Sequence, residues 1–287
     1  MMLLLHFHRA VGVILLTLLF SLSWSDTSAA SLRLGVHPYL SAIELNHRFL
    51  PLCDYLSQQS HQPVSLVVTS TFNDLLDQLL AGKLDLAYMG SSNYTLLAQR
   101  GQKVSLLGQL RGEKQNLRGA IVVRHDSPIA QISDLRGKRM AFVNPNSTMG
   151  YRVTTHVLVN AGIRAADLSS WTFLGNHENV AYAVLAGAYD AGSVKQEILH
   201  DPRFQDLRIL APLSEVADHL FIAGPSVAPA QLQRLQQAFL ALNDNENGRT
   251  ILRTIRKDII GIVPATDQDY DQLRLYEQAI PIFEGRP

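Results

Sequence analysis

From Leu32 onward, short Val- and Leu-rich runs alternate with longer stretches in which leucine recurs at helical spacing. "LRLGVHPYL", "PVSLVVTS", "LDLAYMG" and "VSLLGQL" read as strands. Between them, Ala42 to Gln58 and "TFNDLLDQLLAGKL" read as helices, the second opening on Thr/Asn and closing at Gly82. Strands separated by helices pair in parallel, because each helix carries the chain back to the edge from which it started. The rhythm then repeats: "GAIVVRHDS" is a strand, "ISDLRGKRMAFVN" a short helix and a strand, and "STMGYRVTTHVLVNAG" a helix closed by Gly162. "SSWTFLGNHENVAYAVLAGAYDAGSV" adds strand, helix and strand, and "LRILAPLS" one more strand. Helical patterns follow at "APAQLQRLQQAFLALND", "NGRTILRTI" and "DYDQLRLYEQA". The expected fold class is α/β with two lobes, each a mainly parallel sheet flanked by helices, the second lobe inserted into the first. The expected boundaries are 31–118 for the first lobe, 119–215 for the second, and 216–287 for a return segment and C-terminal helices completing the first. Crossings are expected near Leu117 to Ala120 and near Pro212 to Leu220.

The first thirty residues have another character. One positive charge, Arg9, precedes an apolar run from Val11 to Phe20 and a polar stretch ending in Ser28-Ala29-Ala30. This is the pattern of a secretory signal peptide cut after Ala30, and its apolar core is shorter than the about 20 residues a membrane span requires. The protein is therefore expected to be exported. Lys+Arg and Asp+Glu both number 25, a balance that carries no basic excess for nucleic acid. The single cysteine, Cys53, lies in an amphipathic helical stretch and reads as a buried thiol. The 10 His are scattered without metal-ligand spacing, so neither metal nor cofactor is expected.

Chemistry is carried by three polar turns that follow strand ends. In "FVNPNSTMGYRV" the hydroxyls of Ser147 and Thr148 lie where a helix exposes its first N–H groups, Met149 follows, and Gly150 keeps the opening bare. Free N–H groups and the helix dipole together favour an oxyanion. In "FLGNHENV", His177 and Glu178 fall in a first helical turn, where an imidazole can donate to an anion. In "YMGSSNYTLL", Ser91, Ser92 and Asn93 stand at a helix start beside Tyr94. Each of these residue types also caps helices that bind nothing. Three such turns at the carboxyl ends of parallel strands are what a crevice site in an open α/β sheet requires.

The segments "GKLDLAYMGSSNY", "LRGKRMAFVNPNSTMGY" and "GNHENVAYAVLAGAYDAGSV" resemble those of periplasmic phosphate/phosphite/phosphonate-binding proteins, the receptors of ABC transporters with the type II periplasmic binding fold. The likeness runs from about Leu32 to Ala211. It implies that Ser147 and Thr148 grip phosphonate oxygens and that His177 contacts the anion. It further implies that Tyr39 and Tyr94 line the cleft, and that Glu197 stands where some relatives hold a carboxylate for a substrate amine. Met149 departs from the family, which commonly has a further Ser there. Asp190 reads as structural. The implied function is capture of a small oxyanion between the lobes and delivery to a membrane ABC permease, by a monomer without catalysis. Two alternatives are a ligand-sensing subunit handing its state to a membrane sensor kinase, and an exported hydrolase pairing Ser147 with His177.

Overall fold

The computed structural model describes residues 31–113 and 116–285. The expected leader and its cleavage after Ala30 lie outside the described residues. Two sheets carry the fold. The first contains β1 (Leu32–Val36), β2 (Val64–Val68), β3 (Leu86–Met89), β4 (Ser105–Gly112), β10 (Leu220–Ala223) and β11 (Ile259–Val263), in the order β11-β4-β10-β3-β1-β2. The second contains β5 (Gly119–Arg124), β6 (Arg139–Phe142), β7 (Ser170–Phe173), β8 (Ala191–Lys195) and β9 (Leu207–Pro212), in the order β7-β6-β8-β5-β9. β1 pairs in parallel with β2 and β3, and β6 with β7 and β8, as helical crossovers demand.

The antiparallel strands mark where the chain changes sheet. β5 enters the second sheet antiparallel to β8 and β9, and β10 returns to the first antiparallel to β3 and β4. The two crossing segments run side by side, joined by the Leu117–Val216 bridge and by an ion pair of 2.6 Å between Arg118 and Glu215. β10 and β11 stand outside the rhythm read from the sequence. Each is a short apolar run that periodicity alone does not separate from a helix segment.

Helices cover the sheets. α1 (Ala42–Ser60) is capped by Ser41 and buries Leu45, Phe49, Leu52, Cys53 and Leu56, one face at helical spacing. α2 (Phe72–Leu80) is capped by Thr71, and α3 (Ser91–Gln99) follows β3. In the second lobe α4 (Val153–Asn160) follows β6, and α5 (His177–Leu185), capped by Asn176, follows β7. α6 (Pro229–Ala241) and α7 (Glu246–Ile255) bury Phe239, Leu252 and Ile255 in the core that holds Phe49 and Phe221. The last two helices are α8 (Asp271–Glu277), which reaches the first lobe where the Thr95 hydroxyl meets the Glu277 carboxylate at 3.0 Å, and α9 (Ala279–Glu284). Both also pack on the second lobe, where Leu273 and Phe283 share a core with Phe142, Tyr151 and Leu158. The reason is aromatic: Phe283 meets Phe142 edge-on with centroids 5.9 Å apart, against a face that also carries Trp171 and Phe173. None of the described helices is long and apolar enough to cross a membrane.

Candidate functional site

β1, β3, β6 and β8 end at one edge, and β10, running the opposite way, begins there. The loops at these ends line a small pocket, whose empty space together with the solvent at its mouth is about 230 Å³. The first lobe contributes His37, Phe72, Gly90 and His219. The second contributes Asn146 to Met149, His177 and Lys195.

The turn after β6 explains its own sequence. Asn144 Oδ1 accepts from the Asn146 N–H, and Ser147 Oγ accepts from the Gly150 N–H at 3.1 Å. An ordinary α-helix was the expectation from Ser147 onward; residues Thr148–Arg152 instead form a π-helical turn, the Arg152 N–H reaching Ser147 O at 3.1 Å, before α4 begins at Val153. Among the described residues, the N–H groups of Thr148 and Met149 have no hydrogen-bond acceptor. They are donors held at the wall of the pocket. Gly150 does not keep this opening bare. A side chain there would meet Val143 Cγ2 at 2.3 Å, so the glycine lets the turn close onto its own strand.

Lys195, the last residue of β8, is the central charge. It is buried, and its Nζ lies 3.9 Å above the Tyr39 ring. Among the described residues no carboxylate pairs with it, whereas buried Arg152 pairs with Glu277 and Arg256 with Asp218. Burial pushes its ammonium down to about 8, against the opposing pull of Glu197. An unpaired cation out of water is costly unless an anion joins it.

Three imidazoles surround it with their protons placed by the protein. His37 Nδ1 lies 3.2 Å from the Tyr88 carbonyl, which only accepts, so Nδ1 carries the hydrogen. His219 Nδ1 likewise donates to Asp218 Oδ1 at 3.1 Å. His177 is the reverse: its Nδ1 accepts the Lys195 N–H at 3.1 Å, which leaves the proton on Nε2. Burial, reinforced by neighbouring positive charge, lowers all three below the usual imidazole range, His219 to about 3, so they are neutral at pH 7. Asp218 stays ionised although burial opposes it, because Arg256 grips both of its oxygens, at 3.0 and 2.5 Å.

Gly90 gives these groups room. A Cβ there would lie 3.1 Å from Thr148 Oγ1 and 3.5 Å from His219 Nε2. Gly90 has φ −71° and ψ 155°, which any residue adopts, so the space rather than the backbone calls for glycine. Gly90→Ala is therefore expected to lower anion affinity about tenfold while changing stability by less than about 1 kcal/mol. Titration calorimetry and thermal melts on the same variant check both halves.

Of the residues picked from the sequence, the pocket brings together Ser147, Thr148, Met149 and His177. Met149 packs closely on Gly119, while its carbonyl accepts from Thr154 and Ser193 hydroxyls at 2.7 Å. Tyr39 stands behind Lys195 as a ring wall. The others hold the lobes. Glu197 pairs with Arg48 of α1 and is not a free carboxylate for an amine. Glu178 accepts from the Ser41 N–H at 3.2 Å and from Arg203 at 2.7 Å. The Tyr94 hydroxyl donates to Asp267 at 2.7 Å, away from the pocket, and its ring packs on Tyr270. Ser91 Oγ donates to the Ala217 carbonyl, and Asp190 is gripped by Arg139 at 2.8 Å. Ser92 donates its N–H to Thr148 Oγ1 at 3.1 Å across the lobes. Its hydroxyl and the Asn93 amide are buried without a partner among the described residues.

Sequence reasoning missed His37, Gly90, Asn146, Lys195, His219 and Phe72. The signal for three of them was present. His37 follows β1 directly, Gly90 follows β3 and Lys195 closes β8, so the strand-end rule used for the turns covers them as well. His219 precedes an antiparallel strand that the reading did not contain.

The pocket between the two α/β lobes offers backbone N–H groups, hydroxyls, imidazoles and one buried cation, with no carboxylate among the described lining residues, an arrangement suited to a small anion. The chain belongs to the family described as "ABC transporter, phosphonate, periplasmic substrate-binding protein", which it matches over residues 34–270. It is 25% identical over 269 residues to the phosphate-import protein PhnD of Mycolicibacterium smegmatis, covering 85% of this chain and 84% of that one. Its fold is similar to PhnD1 of Prochlorococcus marinus in complex with methylphosphonate, with a TM-score of 0.79 at 18% identity over 87% of this chain and 98% of that one. A binding-protein component of an ABC phosphonate transporter from Pseudomonas aeruginosa gives 0.78 at 17% identity, covering 86% of each.

Proposed function

We propose that this protein is an exported receptor that closes around inorganic phosphate, phosphite or a small alkylphosphonate and presents it to the membrane permease of an ABC importer. The observation that carries this reading is Lys195, a buried ammonium in the cleft with no carboxylate partner among the described residues. The unbonded N–H groups of Thr148 and Met149, with Ser147 and the Nε2–H of His177, complete a donor set for a tetrahedral oxyanion. The small pocket and the engagement of Glu197 by Arg48 favour an anion without an ammonium tail over an aminoalkylphosphonate. Contacts between the lobes stabilise the closed form: Glu197 to Arg48, Glu178 to the Ser41 N–H, and Asn146 to Asn73 at 2.6 Å.

Binding without catalysis fits the same geometry. Ser147 Oγ accepts from Gly150 N–H, and His177 Nδ1 accepts from Lys195 N–H. The pair is thus arranged to hold an anion rather than to pass a proton between serine and histidine. A thermal-melt panel of phosphate, phosphite, methylphosphonate and 2-aminoethylphosphonate tests the reading. At a hundred times its dissociation constant, the true ligand should add about 2.7 kcal/mol of stability. A flat response across the panel sinks the proposal, and the largest shift with 2-aminoethylphosphonate would reverse the choice of an untailed anion.

A further inference from the structure

The three imidazoles in the pocket are not equivalent, and their difference bears on what kind of anion fits. His37 and His219 both direct an Nδ1–H into the protein, to the Tyr88 carbonyl and to Asp218. Each neutral ring therefore has a lone pair at Nε2, and among the described residues no donor meets either one. The rings lie nearly parallel, at 19° with centroids 5.6 Å apart, and His219 Nε2 lies beside the space over Gly90 that Thr148 Oγ1 also borders. His177 alone turns an N–H toward the pocket.

We infer that His37 and His219 make this cleft a reader of the ligand's hydroxyl: it takes a tetrahedral oxyanion carrying an O–H and rejects one that carries none. The inference rests on the oxyanion reading above and adds the basis for choosing among oxyanions. Lys195, His177 and the N–H groups of Thr148 and Met149 bind the unprotonated oxygens, while a P–OH donates to an imidazole Nε2. A fully deprotonated oxyanion would set its lone pairs against those of the two rings, a repulsion added to the loss of a hydrogen bond. A dianion without an O–H could meet the two rings favourably only if one imidazole took up a proton from solvent, which the burial of both rings opposes. The charges facing the two rings do not supply it. Lys195 and His177 are donors already, Asp218 is held by Arg256, and Tyr88 offers His37 its carbonyl.

Phosphorus and sulfur oxyanions separate the proton from shape and charge. The methylphosphonate monoanion and methanesulfonate share both, and only the first has an O–H; the hydrogenphosphate dianion and sulfate differ in the same way. Titration calorimetry of the wild-type protein at pH 7 should give phosphate and methylphosphonate an affinity about a hundredfold or more above sulfate and methanesulfonate. His219→Gln and His37→Gln put an amide that also donates in place of the acceptor. Each should narrow the phosphorus-to-sulfur ratio by about tenfold or more, where a merely structural role would lower both affinities alike. Equal wild-type affinity within each pair overturns the inference and leaves the oxyanion reading standing. A parallel loss for both anions in the variants overturns the role of these two rings. No binding of any of the four anions overturns the oxyanion reading beneath it, and this inference with it.

Discussion

Lys195→Met is expected to abolish oxyanion binding and to make the unliganded protein more stable. The two effects share one cause. Lys195 is buried in the cleft without a carboxylate partner among the described residues, and burial lowers its ammonium from 10.5 to about 8. That shift corresponds to about 3 kcal/mol of disfavoured charge at neutral pH, which an apolar side chain of similar length removes. An anion in the pocket loses its only full counter-charge among the lining residues, so affinity should fall by about a hundredfold or more. The sign of the pH dependence is specific. Between about 8 and 10.5 the unfolded chain binds the proton that folded Lys195 has released, so wild-type stability rises with pH across that window. The Met variant should lack this rise. Anion affinity in the wild type should fall as pH passes about 8. Calorimetry with phosphate, and melts from pH 7 to 10.5, measure all of these; wild-type affinity in the variant would remove Lys195 from the site.

Asp218→Ala is expected to be the most damaging single change to the fold. It leaves the buried Arg256 guanidinium without its bidentate partner and the His219 Nδ1–H without an acceptor. Breaking a buried pair from one side costs about 3–5 kcal/mol, on the order of 10 °C in a domain of this size. The double variant Asp218→Ala, Arg256→Met should recover much of that loss, because no buried charge is then left alone. A single variant that melts within about 2 °C of wild type would show that Asp258, 2.5 Å from Arg256 Nε, is partner enough.

How far the sequence could be read depended on how local the determining physics was. The strand and helix order from Leu32 to Pro212 was legible because apolar periodicity and capping residues such as Ser41, Thr71 and Asn176 act within a few positions. The turn at Ser147–Thr148 was legible for the same reason, as a polar cluster between a strand end and a helix. Glu197 was not. Its carboxylate looks free in "VKQEIL", and only the fold brings Arg48 to it from 149 residues away. Gly150 was read as an opening and is a packing contact, since Val143 occupies the space its side chain would need.

By itself, the sequence determined the α/β rhythm, the polar turns at strand ends and the resemblance to periplasmic substrate-binding proteins of ABC transporters. The tertiary structure decided which groups line the pocket and which nitrogen of each imidazole carries a proton. It returned β10 antiparallel to β3 and β4 with His219 at its start, left Lys195 without a counter-charge among the described residues, and set each imidazole's tautomer through a carbonyl, a carboxylate or an N–H from distant sequence. Periodicity is a property of neighbours along the chain. A buried charge and the direction of a proton depend on what surrounds them in space, and only the folded chain contains that information.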